Sequence, residues 1–346
     1  MKLFFHRRPG AAPVLLGLAV LILAGCSTEV KPPQGYALIY GVADYSAAGL
    51  GSLNYTDDDA WAMAELFLAQ GWDVKLRIDD GDVPGNSNFP DPGPATLTQL
   101  KADIAALADV PRGSRFLINI SSHGAQASYD EGLEPAAGDH KQEWFFLYSP
   151  VNLQTEFDSF DQPLWNPAWE DYVLQDDYLG VLLSQLPEGM KMVVVDACHS
   201  GGLIGDSPTV DPYPQAYQGR EGTISLAEAL NKYYNYDPRA DILAEEALVL
   251  AAAGERESSI EMGGINHGLF TYHFLQSPVK ADADGDGWIT FGEAADYSIS
   301  ATVGYQQSLI RAYEEDPVNN TFYSSSYLYL PRLSGSGVDF VLFQAD

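Results

Sequence analysis

The stretch Val193–Gly202, "VVVDACHSGG", is the one whose reading decides the fold. Three β-branched valines in a row favour extended backbone, and a run without polar alternation suits a strand buried on both faces. Gly201 and Gly202 break it. An acid, a small residue, a cysteine and a histidine therefore stand at the C-terminal end of a core strand. Cys198 is then either a buried thiol closing that strand or a nucleophile presented at the edge of a sheet.

The flanking segments say which sheet this is. Before "MKMVVVDAC" lies the amphipathic "DDYLGVLLSQL", a helix, and before that "SRFLINISSHG", a strand ending in Ser121, Ser122, His123 and Gly124. Nearer the N-terminus, "YALIYGVADY" (36–45) reads as a buried strand. In "TDDDAWAMAELFLAQGW", Ala60, Met63, Ala64, Phe67 and Leu68 recur at helical spacing, with acids at the start where the helix dipole favours them. "DVKLRI" (73–78) is a strand, the Gly/Pro/Asn-rich segment after it a loop, and Thr96 a plausible cap for the helix in "TLTQLKADIAAL". "EEALVLAAAG" and "HGLFTYHFLQS" add a further strand and helix. Strands and helices alternate and the strands are almost continuously apolar. The expected fold class is therefore α/β, a sandwich with a mostly parallel central sheet covered on both faces and long loop insertions.

No internal repeat or linker divides residues 36–346, which read as a single domain. Roughly 50 polar and aromatic residues follow His123, among them Trp144, Trp165 and Trp169, too many for a plain connection; this reads as a functional insertion. Near the end, "TFYSSSYLYLPR" and "GVDFVLFQAD" look like strands without assignable partners.

Composition narrows the function. The chain has 346 residues and 46% apolar content, enough for a large core. Its 18 basic and 48 acidic residues leave a formal net charge of −30, which argues against a nucleic-acid partner and suits cations or basic peptides. Lys2, Arg7 and Arg8 precede the apolar run "APVLLGLAVLILAGC", the pattern of an export signal. The run closes on Leu23-Ala24-Gly25-Cys26, which resembles a bacterial lipobox. Residues 1–25 are then a signal peptide, Cys26 the lipidated N-terminus and 26–35 a tether, giving an exported lipoprotein at the outer membrane, cell surface or periplasm. There are only two cysteines, so lipid on Cys26 leaves Cys198 without a disulfide partner.

In open α/β sheets, ligands bind beyond the carboxyl ends of the strands. His123 and Cys198 both fall there, at the ends of two strands with a helix between, so the fold predicts their proximity. A catalytic thiolate needs a neighbouring base and backbone N–H donors for the oxyanion. His123 supplies the first; Gly124 and the peptide at Cys198 supply the second.

With these motifs in view, the chain resembles the caspase-like cysteine peptidases of clan CD, in particular the bacterial caspase and metacaspase family. "FLINISSHG" matches the family's histidine motif and "DACHSGG" its cysteine motif; "LNYTDDDA", "DDYLGVLLSQLPEG" and "NHGLFTYHFL" match elsewhere. The resemblance implies a cysteine endopeptidase with a Cys198/His123 dyad and a thioester intermediate, with His199 structural. It also implies a substrate pocket at Asp59, Ser121 and Asp196. Two carboxylates there suit a substrate Arg or Lys, and no arginine occurs between Tyr36 and Arg77 to build an Asp-binding pocket instead. Asp57 and Asp58 compete with Asp59 for this role. The segment 205–245, with Arg220, Lys232 and Arg239, is either a self-processing linker or a plain surface loop.

"DADGDGWITFGE" (282–293) fits the twelve-residue EF-hand loop: Asp282, Asp284 and Asp286 at alternate positions, Gly287 at the turn, Trp288 through its carbonyl, Thr290 through its side chain or a water, and Glu293 bidentate. Calcium is the expected cofactor, and no motif calls for an organic one. A second calcium site at Asp176, Asp177 and Asp206, which the family resemblance suggests, is weakened by Asn152 standing where an acid is expected. Two alternatives stay open: a catalytically silent calcium-binding surface lipoprotein that uses the fold for interaction, and an Asp-specific peptidase.

Overall fold

A computed structural model describes residues 33–128, 141–154, 156, 159, 166–198, 200, 247–254, 257–318, 328–334 and 339–345, the side chains of 126–128, 141, 142 and 177 excepted. The export signal, Cys26, most of the tether, Trp165, His199, Asp206, Arg220, Lys232 and Arg239 lie outside the described residues.

In chain order, β1 (Gly35–Gly41), α1 (Thr56–Ala69), β2 (Asp73–Ile78), α2 (Leu97–Ala106) and β3 (Ser114–Ser121) form the first half. β4 (His123–Ser128), β5 (Lys141–Phe146), the short α3 (Trp169–Tyr172) and β6 (Val173–Gln175) follow, then α4 (Asp176–Ser184), β7 (Gly189–Asp196) and β8 (Leu248–Ala251). The C-terminal part contains β9 (Glu261–Met262), β10 (His267–Gly268), α5 (Leu269–Phe274), α6 (Ser277–Lys280), β11 (Trp288–Thr290), α7 (Phe291–Glu315), β12 (Arg332–Leu333) and β13 (Val341–Gln344).

The central sheet has six strands in the order β12-β8-β7-β3-β1-β2. All its pairings are parallel except β12 against β8. Because side chains alternate across a strand, one face carries Leu38, Tyr40, Ile118, Ile120, Val193 and Val195 and packs on α2 and α4 through Leu100, Ile104, Leu179 and Leu182. The other face carries Ala37, Ile39, Leu117, Val194 and Leu250 and packs on α1, α5 and α7 through Met63, Phe67, Phe270, Phe274 and Phe291. This is the expected α/β/α sandwich. Every residue of β3 is buried, which is why "SRFLINIS" shows no polar alternation. Burying a large apolar side chain stabilises by roughly 1.5–3 kcal/mol relative to exposure.

Thr96 caps α2, its side chain accepting from the Gln99 N–H at 3.1 Å. The strand expected to run on to His123 instead ends at Ser121, and His123 opens β4. β4, β5 and β6 form a separate antiparallel sheet built from the segment expected to be an insertion. Trp144 and Trp169 from this segment are fully buried in the α2/α4 face. The C-terminal strand β13 pairs antiparallel with β11 inside the 282–293 loop.

Asp103 of α2 ties this face together. It accepts from Arg77 Nε at 2.7 Å and Nη2 at 2.8 Å, from Tyr40 Oη at 2.7 Å and from Gln99 Nε2 at 3.0 Å. Burial alone would push its carboxyl up, but the hydrogen bonds from Arg77 and Tyr40 outweigh that and hold it below the usual carboxylate range. Removing one partner strands a buried charge. Asp103→Ala is therefore expected to cost about 3 kcal/mol, read as a fall in the urea midpoint, while a loss below about 1 kcal/mol would show the network to be dispensable.

Candidate active site

The site lies at the carboxyl ends of β1, β3 and β7. β3 and β7 pair in register up to Ser121 opposite Asp196, and the Ser122 N–H donates to the Asp196 carbonyl at 3.3 Å. Two residues beyond that last pair stand His123 and Cys198. A Cβ on Gly124 would overlap the carbonyl oxygen of Cys198 and reach 3.2 Å from Ala197 Cβ, so only glycine lets the start of β4 lie against the cysteine backbone. Gly124, next to His123 in the chain, is thus in main-chain contact with Cys198.

His123 is held from several directions. Its N–H donates to Tyr45 Oη at 3.0 Å, and that hydroxyl donates to the Phe146 carbonyl at 2.5 Å. The Tyr45 and His123 rings lie 4.6 Å apart. Nε2 is 2.6 Å from the Gly51 carbonyl, which can only accept, so Nε2 carries the proton and Nδ1 is the basic nitrogen of the neutral ring. Cys198 is 4% exposed, its thiol 3.8 Å from the Ser259 carbonyl. The segment carrying Ser259 is pinned by Glu261, which accepts from the Tyr55 N–H at 2.8 Å and the Asn54 N–H at 3.0 Å at the start of α1.

Asp59, Ser121 and Asp196 also converge. Ser121 Oγ donates to Asp59 Oδ2 at 3.2 Å. Asp196 Oδ2 accepts from Thr271 N at 3.2 Å and Thr271 Oγ1 at 2.7 Å. Asp57 and Asp58, the competing acids, are not in this hydrogen-bond cluster among the described residues. Both Asp59 and Asp196 are buried, 1% and 5% exposed. Burial pushes Asp59 up to about 7 and raises Asp196 as well.

Sequence reasoning missed two members of this cluster. His267 Nδ1 lies 2.8 Å from Asp59 Oδ1, and the Gly268 N–H donates to both Asp59 oxygens at 3.2 and 3.1 Å. The hydrogen bond to Asp59 raises His267 above its ordinary value despite partial burial. The available signal was "NHG" directly before the helix, a histidine in the short strand that follows a turn.

The family model of the caspase domain matches residues 34–285. The chain belongs to the caspase family. Among solved structures, this caspase-domain protein is similar to GSU0716 from Geobacter sulfurreducens, with TM-score 0.51 and 20% identity over 88% of this chain and 95% of that one. It is also matched by caspase-1 from Spodoptera frugiperda, with TM-score 0.41 and 11% identity over 88% and 86% of the two chains. The likeness to GSU0716 is one of fold. A comparison with curated proteins returns no match. Membership identifies the domain as a cysteine-peptidase type, with proteins or peptides as its class of substrate.

A second cluster lies away from this edge of the caspase domain. Ligand atoms of Asp282, Asp284 and Glu293 all lie within 4.8 Å of one another. Gly287, at φ +83°, takes the left-handed turn the loop pattern demands. Asp286 lies outside that trio and accepts from the Trp288 N–H at 2.7 Å. Thr290 and Glu293 form the capping box of α7, with Glu293 Oε2 accepting from Thr290 N at 2.9 Å and Oγ1 at 3.0 Å. Three converging carboxylates are a donor set suited to a hard divalent cation.

The Asp59/His267 pair has a stability signature. Asp59 rises from an ordinary 3.8 to about 7 on folding, so the folded chain holds a proton the unfolded chain releases, and stability falls as pH rises between those values. His267 is raised above 6.5, so its contribution is complete below that value and is lost as pH rises through its folded one. The two slopes share a sign. Unfolding free energy measured from about pH 5 to 8 is expected to fall more steeply in the native chain than in Asp59→Asn; equal slopes would show that the pair does not titrate as described.

Proposed function

We propose that the protein is a cysteine endopeptidase that cleaves peptide bonds after Arg or Lys through a Cys198/His123 dyad. The observation that carries this reading is the backbone contact of Cys198 with Gly124, the residue after His123, beyond the ends of adjacent strands. With Nε2–H committed to Gly51, Nδ1 of His123 takes the proton of the Cys198 thiol. The thiolate sulfur bonds to the substrate carbonyl carbon, and the oxygen's charge is received by backbone N–H groups at Gly124 and Cys198. As the C–N bond breaks, His123 returns the proton to the leaving amine. Water, deprotonated by His123, then opens the thioester and restores the thiol.

Asp59, Ser121 and Asp196 are proposed to receive the substrate cation. Support comes from their convergence next to the dyad: Ser121 and Asp196 each precede a dyad member by two residues. A net charge of −30 favours basic peptides on approach as well. On fluorogenic peptides that differ only in the residue before the scissile bond (Arg, Lys, Asp or Asn), cleavage is expected after Arg and Lys. It should vanish in Cys198→Ala and fall by roughly 10²–10⁴-fold in His123→Ala. Turnover that survives Cys198→Ala would defeat the dyad, and preference for Asp would defeat the pocket.

We further propose that calcium binds at 282–293 as structural support, through Asp282, Asp284, Asp286 and Glu293 with Trp288 and Thr290, and that Cys26 carries the lipid that tethers an exported enzyme. The support for calcium is the carboxylate convergence together with the β11–β13 pairing, which fastens the C-terminus to the loop. A bound ion would add bridging charge between loop and α7. Calcium at about 100 times its dissociation constant should raise stability by about 2.7 kcal/mol in the native chain and not in Asp282→Asn/Glu293→Gln. An unchanged melting temperature in the native chain would remove the site.

A further inference from the structure

Two buried carboxylates that converge need a compensating charge, because an isolated buried anion is costly and like charges raise one another. Among the described residues no lysine or arginine pairs with Asp59 or Asp196. The ionisable donor that meets them is His267. Its Nδ1 lies 2.8 Å from Asp59 Oδ1, and its side chain is 21% exposed against 1% for Asp59. The β9–β10 pairing fixes its backbone, with His267 opposite Met262. The imidazole thus sits where a buried carboxylate meets the surface.

We infer that His267 is a positioning residue of the substrate pocket: donating from Nδ1 to Asp59, it favours the ionised form of that buried carboxylate and orients it for an arginine or lysine side chain. The inference rests on the reading of Asp59 and Asp196 as the seat of the substrate cation.

On β9, Glu261 stands opposite Gly268 and its charge helps to raise Asp196. Asp58 and Asp59 come from α1, Asp196 from β7, and the Tyr272 ring of α5 lies 6.4 Å from the imidazole. Asp59 faces Ser121 of β3 and the Gly268 N–H of β10 in addition. Among the described residues, the charges acting on His267 from Asp58, Asp59 and Asp196 are negative, which favours its protonated form. With His267 removed, Asp59 keeps its burial and the repulsion of Asp196 but loses its ionisable donor, so its carboxyl stays protonated to higher pH. A neutral carboxyl cannot make a charge-assisted pair with a guanidinium.

Two measurements separate this inference from the pocket reading beneath it. In the full chain, the kinetics of His267→Ala and His267→Gln on an Arg peptide should show KM raised about tenfold at pH 7 in the alanine variant with kcat largely kept. The acid limb of kcat/KM should move up by about one pH unit or more, and glutamine, which keeps a donor, should move it less. Independently of turnover, proton NMR of inactive Cys198→Ala should show the His267 ring titrating above the ordinary histidine value, and dropping toward it once Asp59→Asn is added. An ordinary titration unchanged by Asp59→Asn overturns the pairing. A KM that falls in His267→Ala, or an unmoved acid limb with Asp59→Asn still abolishing Arg preference, overturns the positioning role and leaves the pocket standing. Full Arg preference in Asp59→Asn sinks the pocket reading, and the inference with it, whatever the NMR shows.

Discussion

The in-register parallel pairing of β3 with β7 is the constraint on which the rest depends. From Ser114 opposite Gly189 to Ser121 opposite Asp196, the two strands advance together without a slip. A one-residue shift would exchange every side chain between the two faces, taking Ile118, Ile120, Val193 and Val195 off α2 and α4. Because both faces are buried, that shift is prohibitively costly. The same pairing therefore secures the core and ends level, two residues before His123 and Cys198. Gly124 completes the arrangement by allowing backbone contact where any side chain would collide.

Charge is handled differently on the two faces of this sandwich. Asp103 is buried with a bidentate arginine and two further donors, and its carboxyl falls below the ordinary range. Asp59 is buried with a histidine, a serine and a backbone N–H, with a second carboxylate nearby, and its carboxyl rises. Arginine is always charged, so the first cluster is a permanent structural lock. Histidine titrates near neutrality, so the second can change its charge. A chain of net charge −30 spends its few cations selectively, and the contrast separates a scaffold acid from one with a chemical assignment.

Around this centre the accessory parts act as braces. The antiparallel β4–β6 sheet starts at His123 and buries Trp144 and Trp169 in the α2/α4 face, so the histidine's backbone is anchored by a second sheet as well as by β3. On the opposite face, β13 pairs with β11, and Phe343 stands 5.2 Å from Phe67 of α1 and 6.2 Å from Phe274 of α5, measured between ring centroids. These two helices carry Asp59 and Thr271, both in the acidic cluster. The acidic loop, the C-terminal strand and the pocket helices form one continuous packing path.

Much of this was legible in the residues alone. Continuous apolar runs marked β1, β3 and β7 as doubly buried parallel strands, helical spacing marked α1, and Thr96 marked the start of α2. Strand-end placement singled out His123 and Cys198, and motif matching singled out Asp59, Ser121 and Asp196. These signals are local or periodic, and chain order with the βαβ rule carried them into space. What chain order could not supply was pairing between short segments far apart in sequence. The two-residue strands β9 and β10 have too few side chains to show a period, so nothing beyond the "NHG" before α5 pointed to His267, and nothing named Asp59, 208 positions away, as its partner. The β11–β13 pairing was invisible for the same reason. Sequence by itself determined which strands form the core and what chemistry stands at their ends; tertiary structure alone decided which carboxylates are buried and which histidine meets them, because burial and hydrogen bonding depend on contacts that no local pattern encodes.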